Sequence, residues 1–243
     1  MTTLNQTSKT NRAVKAAEIA FVFLFAFAVV SVGWWIVGDN LLGRQAVVWV
    51  ANVLMLVTIW IGLRVRGQTW EHFGLTLHWR GWGALGRTLL QSVVVLILAL
   101  TAFIIGSVVM RDVATSATNA DMSGYNYLEG NLPMLLVALA AVYVVSSFGE
   151  EMLYRGFLIT RLQQFTEAGK AASSVAVVCS AGVFGLAHFD WGIAGIVQTT
   201  FMGLVLGISY VVTKRNLWAL ILAHAYMDTL LLVQMYSGAS NAG

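Results

Sequence analysis

The chain has 243 residues, of which 58% are hydrophobic and only 10% are charged. Its mean hydropathy is +0.78, whereas soluble domains carry about 25% charged residues. This composition excludes an ordinary soluble domain and predicts a polytopic membrane protein. The net charge of +3 does not indicate a nucleic-acid partner, because the basic residues fall between apolar segments. The single cysteine, Cys179, excludes an intrachain disulfide and a Cys-x-x-Cys metal pair.

The apolar segments predict seven membrane spans, since about 20 apolar residues cross a bilayer. No cleavable signal peptide is evident, so the first span is expected to act as a signal anchor. The spans are expected at residues 14–37, 45–63, 88–110, 133–157, 171–188, 192–213 and 217–236. We therefore expect an all-α bundle of about seven or eight membrane helices, in a single membrane domain.

Two connecting segments differ from the spans in composition. Residues 64–87 are amphipathic, with His72, His78 and several tryptophans among basic residues, which suits an element lying at the membrane interface. An eighth, half-buried element in this segment would change the geometry of the bundle. Residues 111–132 form a mostly polar loop that ends at Pro133, a residue favoured at helix starts.

Lysine and arginine predict the orientation, because cytoplasmic loops are enriched in both. With seven spans and a cytoplasmic N-terminus, twelve of the 14 basic residues fall on the inside. The outer segments hold only Arg44 and Arg111. We expect an integral protein of a bacterial plasma membrane, with its N-terminus in the cytoplasm and its C-terminus outside.

A charged cluster interrupts the fourth span at Glu150, Glu151 and Arg155. Charges inside a bilayer are costly, so those that occur usually pair or act. Glu151 and Arg155 are four residues apart and should pair on one helix face. Glu150 is rotated by about 100° from that face, which leaves it free to act as a general base. A helix-end salt bridge near the interface is the structural alternative.

Two further polar pairs follow, each four residues apart. Phe184 and His188 close the fifth span, and His224 and Asp228 lie in the seventh. His188 alone is as compatible with a structural helix-end histidine as with a ligand or base. Asp228 could hold the His224 imidazole in one tautomer, or the pair could be an interhelical contact or part of a proton relay.

Together, the two glutamates, two histidines and one aspartate predict a site that activates water. In a metal version, His188, His224 and a carboxylate from Glu150 or Asp228 would hold Zn²⁺ and leave one position open for water. In a metal-free version, Glu150 and His188 would polarise the water directly, while His224 and Asp228 stabilise the oxyanion. The residues leave both versions open.

The three motifs resemble those of the CPBP intramembrane proteases, the type II CAAX prenyl endopeptidase and bacteriocin-processing (Abi) family. The family pattern is Glu-Glu-x-x-x-Arg, Phe-x-x-x-His and His-x-x-x-Asn/Asp on successive helices. Here it is matched by Glu150-Glu151 with Arg155, by Phe184 with His188, and by His224 with Asp228. The resemblance covers residues 133–232 and is similar in the flanking RGFL and LWALILAHA segments. It divides the chain into N-terminal membrane helices, 1–132, and a catalytic core, 133–236.

The resemblance implies an endopeptidase that cuts membrane-associated or lipidated peptides with activated water and no acyl-enzyme. Glu150, His188, His224 and Asp228 would be catalytic, with Glu151, Arg155 and Phe184 in support. The family commonly has Asn where this chain has Asp228, and a carboxylate binds metal better but stabilises an oxyanion less well. Substrates would be peptides or small proteins at the membrane, and the oligomeric state is not indicated.

The same residues are also compatible with other functions. The zinc motif His-Glu-x-x-His, the rhomboid Gly-x-Ser-Gly and the aspartyl Gly-x-Gly-Asp are all absent from the sequence. A non-proteolytic interaction or bacteriocin-immunity protein would keep the same residues. A proton-coupled transporter would use them as a relay, but the chain shows no inverted repeat.

Overall fold

The structure is a computed structural model that describes residues 2–76, 81–113, 122–165 and 169–238. The regular structure in these ranges is helical throughout, which confirms the all-α bundle. His78, together with most of the polar loop before Pro133, lies outside the described residues.

In the described ranges, seven long helices follow one another, joined in part by short 3₁₀ turns. The helices are α1 Thr2–Val37, α2 Leu41–Val65, α3 Trp82–Val113, α4 Leu132–Gln163, α5 Lys170–Leu186, α6 Gly192–Val212 and α7 Leu217–Tyr236. The 3₁₀ turns are Trp70–Phe73, Ser123–Leu128 and Phe189–Trp191.

Six of these helices are long and apolar enough to cross a membrane, and α5 is the exception with 17 residues. At 1.5 Å per residue, α5 is about 25 Å long, shorter than the roughly 30 Å hydrocarbon core. Helix α5, the expected fifth span, is thus not among the six helices long enough to cross the membrane. It ends before His188, which lies in the turn that follows the helix.

Helix α4 carries the charged cluster and has an unusual middle section. Its start is fixed by Asn131, whose side-chain oxygen accepts a hydrogen bond from the Met134 N–H at 3.2 Å. The section Tyr143–Ile159 is wound as a π-helix, with i→i+5 hydrogen bonds. Such winding is rare and concentrates at functional sites. The glutamate pair lies within it.

The core of the bundle surrounds the second half of α4. Met152, Phe157 and Ile159 have no exposed surface and contact side chains from several other helices. Helix α6 approaches α5 closely, because Gly203 leaves room for the Phe184 ring and the Ala181 backbone. This close approach places Phe184, which is fully buried, beside α4.

The segment after α2 packs into one end of the bundle instead of lying on its surface. Phe73 is fully buried, and its carbonyl accepts a hydrogen bond from the Tyr210 hydroxyl at 2.8 Å. The Thr76 carbonyl accepts another from the Trp218 indole at 2.8 Å. Gly74 has a φ of 89°, and a Cβ there would collide with the Arg215 carbonyl. The interfacial interpretation of residues 64–87 therefore misses this buried anchor.

An ion-pair cluster joins three helices at the same end. Glu18 of α1 accepts hydrogen bonds from Arg66 at 2.9 Å, next to the end of α2, and from Arg161 of α4 at 3.0 Å. Arg161 is almost fully buried, and its guanidinium lies 5.2 Å from the centre of the Phe73 ring. The cluster ties α1 and α2 to the helix that carries the glutamate pair.

Candidate active site

Glu151 is the centre of a buried network that joins α4 to α7. One carboxylate oxygen, Oε1, accepts a hydrogen bond from Arg155 Nη1 at 2.7 Å and another from His224 Nδ1 at 2.8 Å. Glu151 is fully buried and Arg155 nearly so. The pair expected from the four-residue spacing therefore forms, and it also positions a histidine.

Glu150 points toward the same histidine from a different angle. Its Oε2 lies 3.9 Å from His224 Nε2, beyond hydrogen-bond distance. This oxygen is buried and has no hydrogen-bond partner among the described residues. A buried carboxylate oxygen without a partner is costly, and such exceptions need a reason. This oxygen is therefore available to accept a hydrogen bond from a water molecule or a substrate.

The His224 ring is oriented by Glu151, which corrects the expected role of Asp228. Because Nδ1 donates to a carboxylate, its proton position is fixed and Nε2 faces the site. Asp228 Oδ1 lies 3.8 Å from Nε2, too far for a hydrogen bond. Of the alternatives considered for this pair, holding the imidazole tautomer falls to Glu151, and Asp228 makes an interhelical contact with Ser147 instead.

Asp228 is held by a different helix. Its Oδ2 accepts a hydrogen bond from the Ser147 hydroxyl of α4 at 2.7 Å. This contact draws the carboxylate toward α4, which explains why the four-residue spacing does not give a His224–Asp228 hydrogen bond. Asp228 Oδ1 and Glu150 Oε2 lie 3.8 Å and 3.9 Å from the same nitrogen, His224 Nε2.

His188 lies in the turn after α5 and is half-buried. Its Nδ1 lies 2.8 Å from the Phe184 carbonyl, so this nitrogen must donate. The neutral ring then has a lone pair on Nε2, the form required of a base or a metal ligand. The rings of Phe184 and Trp191 lie 4.7 Å and 4.8 Å from the imidazole and fix its plane.

Phe184 connects the two histidines. Its ring centre lies 4.7 Å from that of His188 and 6.3 Å from that of His224. Because both distances are measured from the same Phe184 ring centre, the centres of the two imidazole rings can be no farther apart than the sum of the two distances. The Arg155 guanidinium lies 4.3 Å from the same ring centre, a cation–π contact. One aromatic ring thus joins all three motifs.

The first residue of α7 lies against the later part of α4. Leu217 is fully buried next to Gly156, seven residues before the end of α4. Straight helices starting at the expected spans would place His224 roughly 10 Å and His188 roughly 25 Å from the cytoplasmic edge. In the structure the two imidazoles instead lie on either side of the Phe184 ring.

The side chains do not fit a zinc site as they stand. Zinc requires its nitrogen and oxygen donors to converge at about 2.0–2.2 Å from one point. In the described part of the chain, no group of three or more His, Cys, Asp and Glu side chains is arranged to hold a metal ion. Zinc binding stays a prediction.

The site also contains two serines that the motifs did not indicate. Ser147 donates to Asp228, and the Ser146 hydroxyl lies 3.4 Å from His224 Nε2. Each serine precedes one of the two glutamates by four residues. This spacing could have identified both, since side chains four apart share a helix face.

The comparison with known families covers the segment that holds every residue of this site. Residues 132–230 match the family described as type II CAAX prenyl endopeptidase Rce1-like. No curated protein and no solved structure matches the chain. The matched segment begins with α4 and extends two residues beyond Asp228.

Proposed function

We propose that residues 132–230, which belong to the Rce1-like family of type II CAAX prenyl endopeptidases, form the water-activating core of an intramembrane endopeptidase. The coarser activity, a CAAX-type membrane protease, follows from the family. The catalytic roles and the substrate class are our proposal. The observation that supports them best is Glu150 Oε2, a buried oxygen without a described partner that faces His224 Nε2 at 3.9 Å.

In the proposed reaction, Glu150 acts as the general base. It removes a proton from a water molecule held between it and His188, whose Nε2 lone pair accepts the second water hydrogen. The water oxygen then bonds to the peptide carbonyl carbon, and the carbonyl oxygen takes the negative charge. Positioned acid–base groups of this kind contribute about 10²–10⁴-fold to rate.

His224 stabilises the oxyanion. Its Nδ1 proton is held by Glu151, and in the imidazolium form Nε2 also carries a proton that can be donated to the oxyanion. When the intermediate collapses, the carbon–nitrogen bond breaks and protonated Glu150 delivers its proton to the leaving amine. The products are a carboxylic acid and an amine, and Glu150 returns to its starting form.

The substrate we propose is a short membrane-associated or lipidated peptide. The site residues of α4 and α7 lie in helices long and apolar enough to cross a bilayer. A peptide bond would therefore be cut within or close to the membrane, where a lipid group on the substrate raises its local concentration.

The test is cleavage of a peptide library by the purified protein in detergent, with and without a prenyl group on the peptides. Glu150→Gln should lower kcat by about 10²–10⁴-fold, since it keeps the volume and loses the base. Asp39→Asn is the matched control, because Asp39 is fully exposed at the surface. Equal turnover by wild type and Glu150→Gln would refute the assignment.

The same assay tests whether turnover depends on a metal ion. A glutamate-type mechanism predicts that thorough chelation leaves turnover undiminished. Loss of turnover on chelation, with recovery on adding Zn²⁺, would favour the metal version instead.

A further inference from the structure

A cavity lies at the end of the bundle where α3 and α7 begin and α6 ends. Its volume is about 660 Å³, within the range of ligand pockets. The charged and aromatic residues of its lining are Glu71, His72, Arg87, Lys214, Arg215 and Trp218. None of them belongs to the candidate active site.

The lining has an excess of positive charge. The side chains of Arg87 and Lys214 make no hydrogen bond or ion pair with any described residue, and both residues are exposed. Glu71 supplies one carboxylate to the lining and already has an interaction of its own. Three permanent cations against one engaged carboxylate favour an anionic ligand.

Hydrogen bonds connect several of the residues that line the cavity. The Asn216 amide donates to Thr88 at 3.0 Å and to Gln91 at 2.7 Å, which joins α7 to α3. Arg215 donates to the Gln163 side chain at 2.8 Å. These hydrogen bonds join the helices and loops that line the cavity.

The backbone at the basic residues is strained. Lys214 and Arg215 have φ values of 56° and 64°, the left-handed region that non-glycine residues rarely adopt. This conformation costs free energy at each residue, and residues strained in this way cluster at binding sites. Here the conformation directs both cations to the cavity, since Lys214 and Arg215 both line it.

The position of the cavity indicates a ligand from the membrane. It lies at the ends of three helices long enough to cross a bilayer, on the side where the basic residues predict the cytoplasm. Val212 lines the cavity and is 74% exposed. The basic cavity is therefore bordered by an apolar side chain that acyl chains can contact.

We propose that this cavity binds the phosphate headgroup of an anionic phospholipid, with Arg87 and Lys214 on the phosphate and the acyl chains beside Val212. Basic pockets between membrane helices bind such headgroups. The proposal does not depend on the catalytic function.

The test is native mass spectrometry of the delipidated full chain in detergent, titrated with phosphatidylglycerol or with phosphatidylcholine. Phosphatidylglycerol should bind at least about tenfold more tightly. The double variant Arg87→Gln/Lys214→Gln should lower the affinity for phosphatidylglycerol by about 25-fold, because each cation contributes about fivefold. The control, Arg64→Gln/Lys170→Gln, removes two exposed cations outside the cavity and should change binding less than threefold.

A second pair of variants separates loss of binding from misfolding. Ala84 lines the cavity, so Ala84→Glu adds a carboxylate without removing any cation. Ala84→Glu should lower the affinity for phosphatidylglycerol at least tenfold, whereas Ala84→Gln, of similar volume, should not. Equal affinity for the two lipids, or equal effects of both double variants, would overturn the proposal. So would inorganic phosphate binding more tightly than the lipid, which would assign the cavity to a soluble anion.

Discussion

The two adjacent glutamates should differ sharply in what they contribute to stability. Glu151 is fully buried, and its Oε1 accepts hydrogen bonds from both Arg155 and His224. Replacing it by glutamine keeps the shape but removes the charge that compensates a guanidinium with only 1% of its side chain exposed. Glu151→Gln should therefore destabilise the bundle, while Glu150→Gln should not.

The magnitude follows from the contacts. Removing one partner of a buried ion pair costs about 3–5 kcal/mol, because the other charge stays buried and uncompensated. The glutamine carbonyl still accepts one hydrogen bond, so we expect a loss of about 3 kcal/mol in the free energy of unfolding. Glu150 Oε2 has no hydrogen-bond partner among the described residues, so its neutralisation should cost less than about 1 kcal/mol.

The measurement is equilibrium unfolding in mixed detergent micelles, followed by tryptophan fluorescence. Asp39→Asn serves again as the exposed carboxylate control and should shift the free energy of unfolding by less than about 1 kcal/mol. If Glu150→Gln proves less stable than Glu151→Gln, the division between a structural and a catalytic glutamate is wrong.

Three further predictions concern single side chains. His188→Ala should lower kcat by about 10²–10⁴-fold while unfolding stays close to wild type, because its ring is half-buried and bonds only a backbone carbonyl among the described residues. Asp228→Asn should retain turnover within about tenfold in the metal-free mechanism, since the amide can still accept from Ser147, and a zinc enzyme would lose more. Burial and the cations Arg161 and Arg215 lower the pKa of His72 below its ordinary value of 6.5. The unfolded chain then binds a proton that the folded chain does not, so the free energy of unfolding should fall as pH drops through 6.5, and His72→Gln should reduce that fall in a pH series of unfolding curves.

The sequence by itself determined the fold class and predicted which residues form the candidate site. Apolar segments of span length leave helices as the available structure, because backbone groups in a bilayer must be satisfied within each segment. The spacing of Glu151 and Arg155 predicted their ion pair, since side chains four residues apart share a helix face. The resemblance carried by the three motifs is confirmed by the family match to residues 132–230.

Only the tertiary structure decided how the motifs meet. Hydropathy locates where a segment is apolar but not which part of a neighbouring helix it meets, so the contact of Leu217 with Gly156 could not be read from it. The partner of His224 is likewise a long-range choice: Glu151 on α4 reaches Nδ1, while Ser147 draws Asp228 away. Such choices depend on which helices pack together, and a pattern within one helix contains no information about its neighbours.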